Sequence, residues 1–247
     1  MLDYTSVSDL VQLAEQSVMS IGQVVLQDQV RQEDLSVEQL IALMAERLRI
    51  MRQSIEDGLH SEELSVSGLS GTSAVRMYKA GISGKTISGL ILSSMMAKAL
   101  AVAEVNARMG RIVAVPTAGS CGILPAVILT LKEELKLSEK EAILGLFAAS
   151  GLGLVVANCA TVSGAEGGCQ AEFGSAAAMA AGAAVEMIGG NPRQAANAFA
   201  MALKNSLGLV CDPVAGLVEV PCIKRSAVSV ANAMAASDMA LAGIESA

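Results

Sequence analysis

The sequence reads as a mainly α-helical, single compact multi-helix domain with Gly/Ser-rich functional loops and little or no sheet. Composition points there first. Apolar residues are 53% of the 247, yet aromatics are only 2% and tryptophan is absent, so the apolar mass is Ala, Leu, Val, Ile and 13 Met. Small, flexible side chains of this kind suit closely packed helices. Helix-start signals then recur along the chain, and no stretch sustains the alternation of a strand. The run IVAV at 112–115 is the one short strand candidate.

Each element has a local reason. Ser6 with Asp9 opens a first helix expected to run to about Gln27. Ser36 and Gln39 form a capping box, with Leu35 and Leu40 placed as a hydrophobic staple. Beyond it Leu40, Ile41, Met44, Leu48, Met51 and Ile55 recur at three- and four-residue steps, until Gly58 is expected to stop the helix. The Gly/Ser-rich loop SVSGLSGTS leads to a short helix ending at Gly81, and Thr86 to Met109 reads as a long apolar helix closed by Gly110. Pro125 starts the next helix, and Ser138 with Glu141 caps another. Asn191-Pro192 is a cap followed by a first-turn proline, opening a helix that Gly208 ends, and a last helix runs from about Lys224 to Gly243. The chain forms one domain, 1–247, in which residues 1–60 are the more charged, outer helices.

Charge and hydropathy exclude several functions. With 17 Lys+Arg against 24 Asp+Glu the net charge is −7, which argues against binding a phosphate backbone. Mean hydropathy is +0.53, and the uncharged stretch from Ala142 to Ala165 is long enough to span a bilayer. Its second half carries Asn158, Thr161 and Ser163, and it lacks an aromatic belt, so a helix buried on all sides is the better reading. The start MLDYTSVSDL is acidic and polar, unlike a signal peptide, and a cytoplasmic location is expected. The five cysteines are then reduced, and a single histidine, His60, leaves no ordinary Cys/His zinc pattern. His60 itself sits in the polar turn GLHSEEL and reads as a surface residue.

Candidate motifs differ in strength. GISGKTIS at 81–88 fails as a phosphate loop, because Lys79 stands where the first glycine is needed. Lys85 as a Schiff-base lysine lacks an alternating β/α pattern around it. Cys159, in an Ala-rich helix, reads as a small apolar filler. Cys169 follows Gly168, Cys222 follows Pro221 and Cys211 stands two residues before Pro213, a Gly/Pro setting that recurs in iron–sulfur loops. Spacing alone offers no compact ligand run, so residue patterns lead only to a helical protein with a possible thiolate site.

Longer motifs say more. SGAEGGCQAEFGSAAAMAA (163–181) and NSLGLVCDPVAGLVEVPCIKRSA (205–227) resemble the α chain of the iron–sulfur-dependent L-serine dehydratases. SGLSGTSAVRMY (67–78), EVNARMGRIVAVPTAGSCGILPAV (104–127) and DMALAG (238–243) match the same family in order. The resemblance implies a [4Fe–4S] cluster held by Cys169, Cys211 and Cys222, with one iron left open as a Lewis acid. It implies deamination of L-serine to pyruvate and ammonia without pyridoxal phosphate. It also implies that the loops 67–71, 116–120 and 163–168 bind the substrate carboxylate, through Ser67, Thr117, Gly119, Ser120 and Ser163. No residue matches the family's second domain, so a separate β chain is the expected partner and the general base is expected there. Two departures stand out: the chain stops at Ala247, short of an Arg-Glu-Thr-Gly-like tail usual in the family, and Cys121 stands where a small residue is common. A related cluster-dependent L-cysteine desulfidase and a truncated, non-catalytic assembly subunit are the competing readings.

Overall fold

Five helices begin at a reciprocal capping box in which the cap side chain takes the N3 amide proton and the N3 side chain takes the cap amide proton. These boxes are Ser6/Asp9, Ser20/Gln23, Ser36/Gln39, Ser138/Glu141 and Asn191/Gln194. The structure, a computed structural model, describes residues 4–247. In chain order its helices are α1 (Val7–Ser17), α2 (Ile21–Glu33), α3 (Val37–Leu59), α4 (Ser73–Ile82), α5 (Gly89–Ala107), α6 (Ile123–Glu134), α7 (Glu139–Cys159) and α8 (Gly164–Cys169). A π-helical turn, Gln170–Gly174, joins α8 to α9 (Ser175–Met187), and α10 (Pro192–Lys204) and α11 (Val220–Leu241) complete the chain. Among the described residues there is no strand; two isolated bridges occur in loops.

Helix α9 is the axis of the fold. Its Ala-rich sequence is buried on nearly every side, and α6, α7, α10 and α11 pack around it. A second layer forms where α5 meets α3, α4, α6 and α11, while α1 and α2 close over α7 and α10. Tyr4, Leu10, Ile21, Leu48, Ile123, Leu124, Leu152 and Phe173 are fully buried between these layers. Each aliphatic side chain so buried contributes roughly 1.5–3 kcal/mol. The two helices long and apolar enough to cross a membrane, α5 and α7, are mostly buried in this core.

Several boundaries differ from expectation for identifiable reasons. The first helix does not continue to Gln27: Val18 turns left-handed (φ 55°), and the box at Ser20 starts α2 afresh. Gly58 does not stop α3. Helix α5 is shorter than 86–109, because Gly89 at φ 74° precedes its first regular turn. Pro125 lies in the first turn of α6, which begins two residues earlier. Helix α10 ends at Lys204 rather than Gly208, and α11 begins at Val220 rather than Lys224. The run 112–115 pairs with no strand. Helix α4 has no cap of its own; buried Glu104 on α5 accepts the amide protons of Ser73 (2.7 Å) and Ala74 (3.3 Å) instead.

Candidate active site

Three cysteines from three segments face one place. Gly168 breaks α8 with φ 69° and ψ −167°, a conformation that a side chain would strain, and Cys169 follows it, buried. The π-helical turn is stitched to the irregular segment between α10 and α11. The Gln170 amide donates to the Leu209 carbonyl (2.8 Å), and the Gly208 amide donates to Gln170 Oε1 (2.8 Å). That pairing brings Cys211 alongside. Cys222 stands in the first turn of α11, and one turn on Arg225 points back, donating through Nη1 to Cys169 Sγ (2.7 Å) and to the Val210 carbonyl (2.8 Å).

The electrostatics follow from this convergence. Burial pushes the Cys169 thiol up, the hydrogen bond and charge of Arg225 oppose it, and Cys211 and Glu172 add to it. Burial pushes Cys222 up to about 12, with the negative charges of Cys169, Glu172 and Cys211 adding and Arg225 opposing. Among the described residues, no three His, Cys, Asp or Glu side chains sit tightly enough to hold a single metal ion. Three soft thiolate donors without imidazole, partly offset by one guanidinium, have the chemistry of an iron–sulfur site, and a cluster spans more than one ion does.

Cys211 and Cys222 open onto a cavity of about 840 Å³ whose wall includes Asn106, Thr117, Gly119, Ser163 and Glu172. Thr117 Oγ1 donates to Glu172 Oε1 (2.6 Å), and Asn106 Nδ2 donates to the Ala118 carbonyl (3.1 Å), which sets the 116–120 loop against the cavity. Of the five residues expected to bind substrate, Thr117, Gly119 and Ser163 line this cavity. Ser120 does not. It is fully buried behind the loop, contacting Thr117 Oγ1 (3.2 Å) and donating to the Val115 carbonyl (3.3 Å). Ser67 is engaged elsewhere, donating to Glu219 Oε2 (2.7 Å) at the start of α11. Burial raises the Glu219 carboxyl, but the hydroxyls of Ser65, Ser70 and Ser67 together outweigh it and hold it below the usual range.

The remaining cysteines and the histidine do not line this cavity. Cys121 is buried in the core and burial pushes its thiol up to about 12. Cys159 is exposed at the end of α7, its sulfur 3.5 Å from the Thr5 carbonyl. His60 is exposed at the end of α3. Glu172 and Arg225 lie inside the motifs GGCQAEFG and PCIKRS, yet residue type and spacing gave no reason to single them out. A carboxylate and a guanidinium read as solvated charges until folding shows what they touch.

Residues 16–247 match a family model described as serine dehydratase alpha chain. The chain belongs to that family. A probable L-serine dehydratase, alpha chain, of Bacillus subtilis (strain 168) is 46% identical over 243 residues, covering 98% of this chain and 81% of the relative. The L-serine dehydratase, alpha chain, of Peptoniphilus asaccharolyticus is 40% identical over 238 residues, covering 96% of this chain and 82% of the relative. An L-serine dehydratase of Escherichia coli (strain K12) is 34% identical over 244 residues, covering 97% of this chain but only 53% of the relative.

Proposed function

We propose that this chain is the alpha subunit of a cytoplasmic L-serine dehydratase, a lyase that converts L-serine to pyruvate and ammonia, and that Cys169, Cys211 and Cys222 hold a [4Fe–4S] cluster. The observation that carries the reading is the grouping of those three thiols, two of which, Cys211 and Cys222, line a cavity walled by Thr117, Ser163 and Glu172. The names of the relatives support serine as substrate. When bound, the cluster would supply a Lewis-acidic iron for the substrate's oxygen atoms.

The chain's own residues do the rest. Arg225 holds Cys169 and the Val210 carbonyl together, so the segment bearing Cys211 keeps its register against α11. Asn106 and Thr117 hold the 116–120 loop in place, which fixes how deeply a small amino acid can enter. Overall, the Cα proton and the β-hydroxyl leave as water, and the resulting 2-aminoacrylate tautomerises and hydrolyses to pyruvate and ammonia. The "alpha chain" names support a separate beta chain as partner, which in this reading brings the base.

Anaerobic reconstitution together with a beta chain tests the proposal. Iron and sulfide bound in equal amounts, a broad cluster absorption, and pyruvate formed from L-serine in preference to L-cysteine are expected. A fully loaded complex that makes no pyruvate from L-serine would refute it.

A further inference from the structure

Glu172 is the only carboxylate among the residues lining the cavity, and no Lys or Arg lines it. Its position is enforced from three sides. Thr117 Oγ1 donates to Oε1 at 2.6 Å. A Cβ built on Gly119 would lie 3.0 Å from Oε1, and one built on Gly164 would lie 2.3 Å from Oε2, so the carboxylate lies against two stretches of bare backbone. The residue sits in the π-helical turn, an irregularity that re-aims a side chain relative to a continuous α-helix. Oε2 accepts no hydrogen bond from any described residue, although Oε1 is satisfied.

Among the described residues no Lys or Arg side chain pairs with the Glu172 carboxylate, and Arg225, the guanidinium nearest the thiols, is committed to Cys169 and Val210. A free amino acid brings one positive group, its α-ammonium. We infer that Glu172 is the residue that binds the α-ammonium of the substrate, through Oε2, while Thr117 holds Oε1. This rests on reading the cavity as the L-serine site and adds a specificity determinant to it. A carboxylate acceptor favours α-amino acids over hydroxy acids of the same shape, and it fixes Cα by a second point besides the substrate's oxygen atoms.

The test compares L-serine with 3-hydroxypropanoate, which keeps the hydroxyl and carboxylate but lacks the ammonium. In the cluster-loaded complex with the beta chain, Glu172→Gln retains the acceptor for Thr117 and loses the charge. The KM for L-serine is expected to rise roughly ten- to a hundredfold, the worth of one charge-assisted hydrogen bond. The inhibition constant of 3-hydroxypropanoate and the cluster absorption stay unchanged. Weakening of both ligands alike, or a loss of kcat at constant KM, overturns the assignment while leaving the dehydratase reading intact. A loaded wild-type complex inactive on L-serine overturns that reading and this assignment with it. If Glu172→Gln does not take up the cluster, Gly119→Ala, whose new methyl crowds the carboxylate from a loop that carries none of the three thiols, is judged by the same two constants.

Discussion

The guanidinium of Arg225 lies 2.7 Å from the sulfur of Cys169, a residue 56 positions earlier in the chain. The same nitrogen donates to the Val210 carbonyl at 2.8 Å, next to Cys211. One side chain on α11 therefore ties together the segments of all three thiols, because Cys222 lies one turn before it on the same helix. It is also the one positive charge acting on Cys169 and Cys222, against the mutual repulsion of their surroundings.

Arg225→Met is accordingly expected to load less iron in anaerobic reconstitution and to release it roughly tenfold faster in air, reflecting the loss of a charge-assisted hydrogen bond. Lys224→Met serves as control, since Lys224 Nζ reaches only the Val220 carbonyl of its own helix, at 3.4 Å. Iron release followed by a chelator's absorbance decides it. Equal rates for the two variants would show that Arg225 is not part of the thiol site.

Cysteine substitutions should divide sharply. Cys211→Ala is expected to abolish the cluster absorption and pyruvate formation together. Cys159→Ala should alter neither, because its thiol does not line the cavity and meets only the Thr5 backbone carbonyl. Cys121→Ala leaves a small void in the core and should lower stability by about 1 kcal/mol with the absorption intact. Spectra of the three variants side by side make the comparison.

Thr117→Val is nearly isosteric and removes the hydroxyl that holds Glu172. One neutral-to-charged hydrogen bond lost from the cavity wall is worth roughly 1.5–3 kcal/mol. The variant should therefore show a KM for L-serine raised about tenfold or more with its cluster spectrum preserved. An unchanged KM would mean that the Thr117–Glu172 pair does not face the substrate.

A pH effect is expected far from this site. Glu186 on α9 is buried against the start of α2, accepting from Ser20 Oγ (2.7 Å) and from the Gly22 amide (2.9 and 3.0 Å). Burial raises its pKa from 4.5 to about 7, against the lowering effect of those hydrogen bonds. The folded chain thus binds this proton more tightly than the unfolded chain. Its contribution to stability is fully present below about pH 4.5 and is lost as the pH rises to about 7, a change on the order of 3 kcal/mol. Denaturation of wild type and Glu186→Gln across that range should show the wild type gaining on the variant as pH falls. A constant difference between the two would contradict it.

Much of the helical framework was legible locally. The boxes at Ser6, Ser36 and Ser138 and the cap at Asn191 need only residues a few positions apart, so they read directly from the sequence and recur in the structure. The Ser20/Gln23 box is equally local, and it was masked by the apolar continuity of the flanking run. Helix α4 was of a different kind: its cap comes from Glu104, about thirty residues away, and no local pattern announces that. In the site, the motifs around Cys169, Cys211 and Cys222 single out three segments that fold close to one another. The family resemblance offers Ser67 and Ser120 as members of Gly/Ser-rich loops, but loop membership does not say which way a hydroxyl turns. One turned to Glu219 and the other into the core.

The sequence by itself determined a helical domain rich in small side chains, the positions of most helix starts, and a family whose motifs include three cysteines. It could do so because capping, periodicity and motif spacing are short-range properties of the chain. Only the tertiary structure decided that Arg225 serves Cys169, that Glu172 turns into the cavity against Gly119 and Gly164, and that Ser120 turns away. Those outcomes depend on burial and on contacts between segments tens of residues apart. Whether a charge is solvated or directed into a site is settled when the helices pack, not when they form.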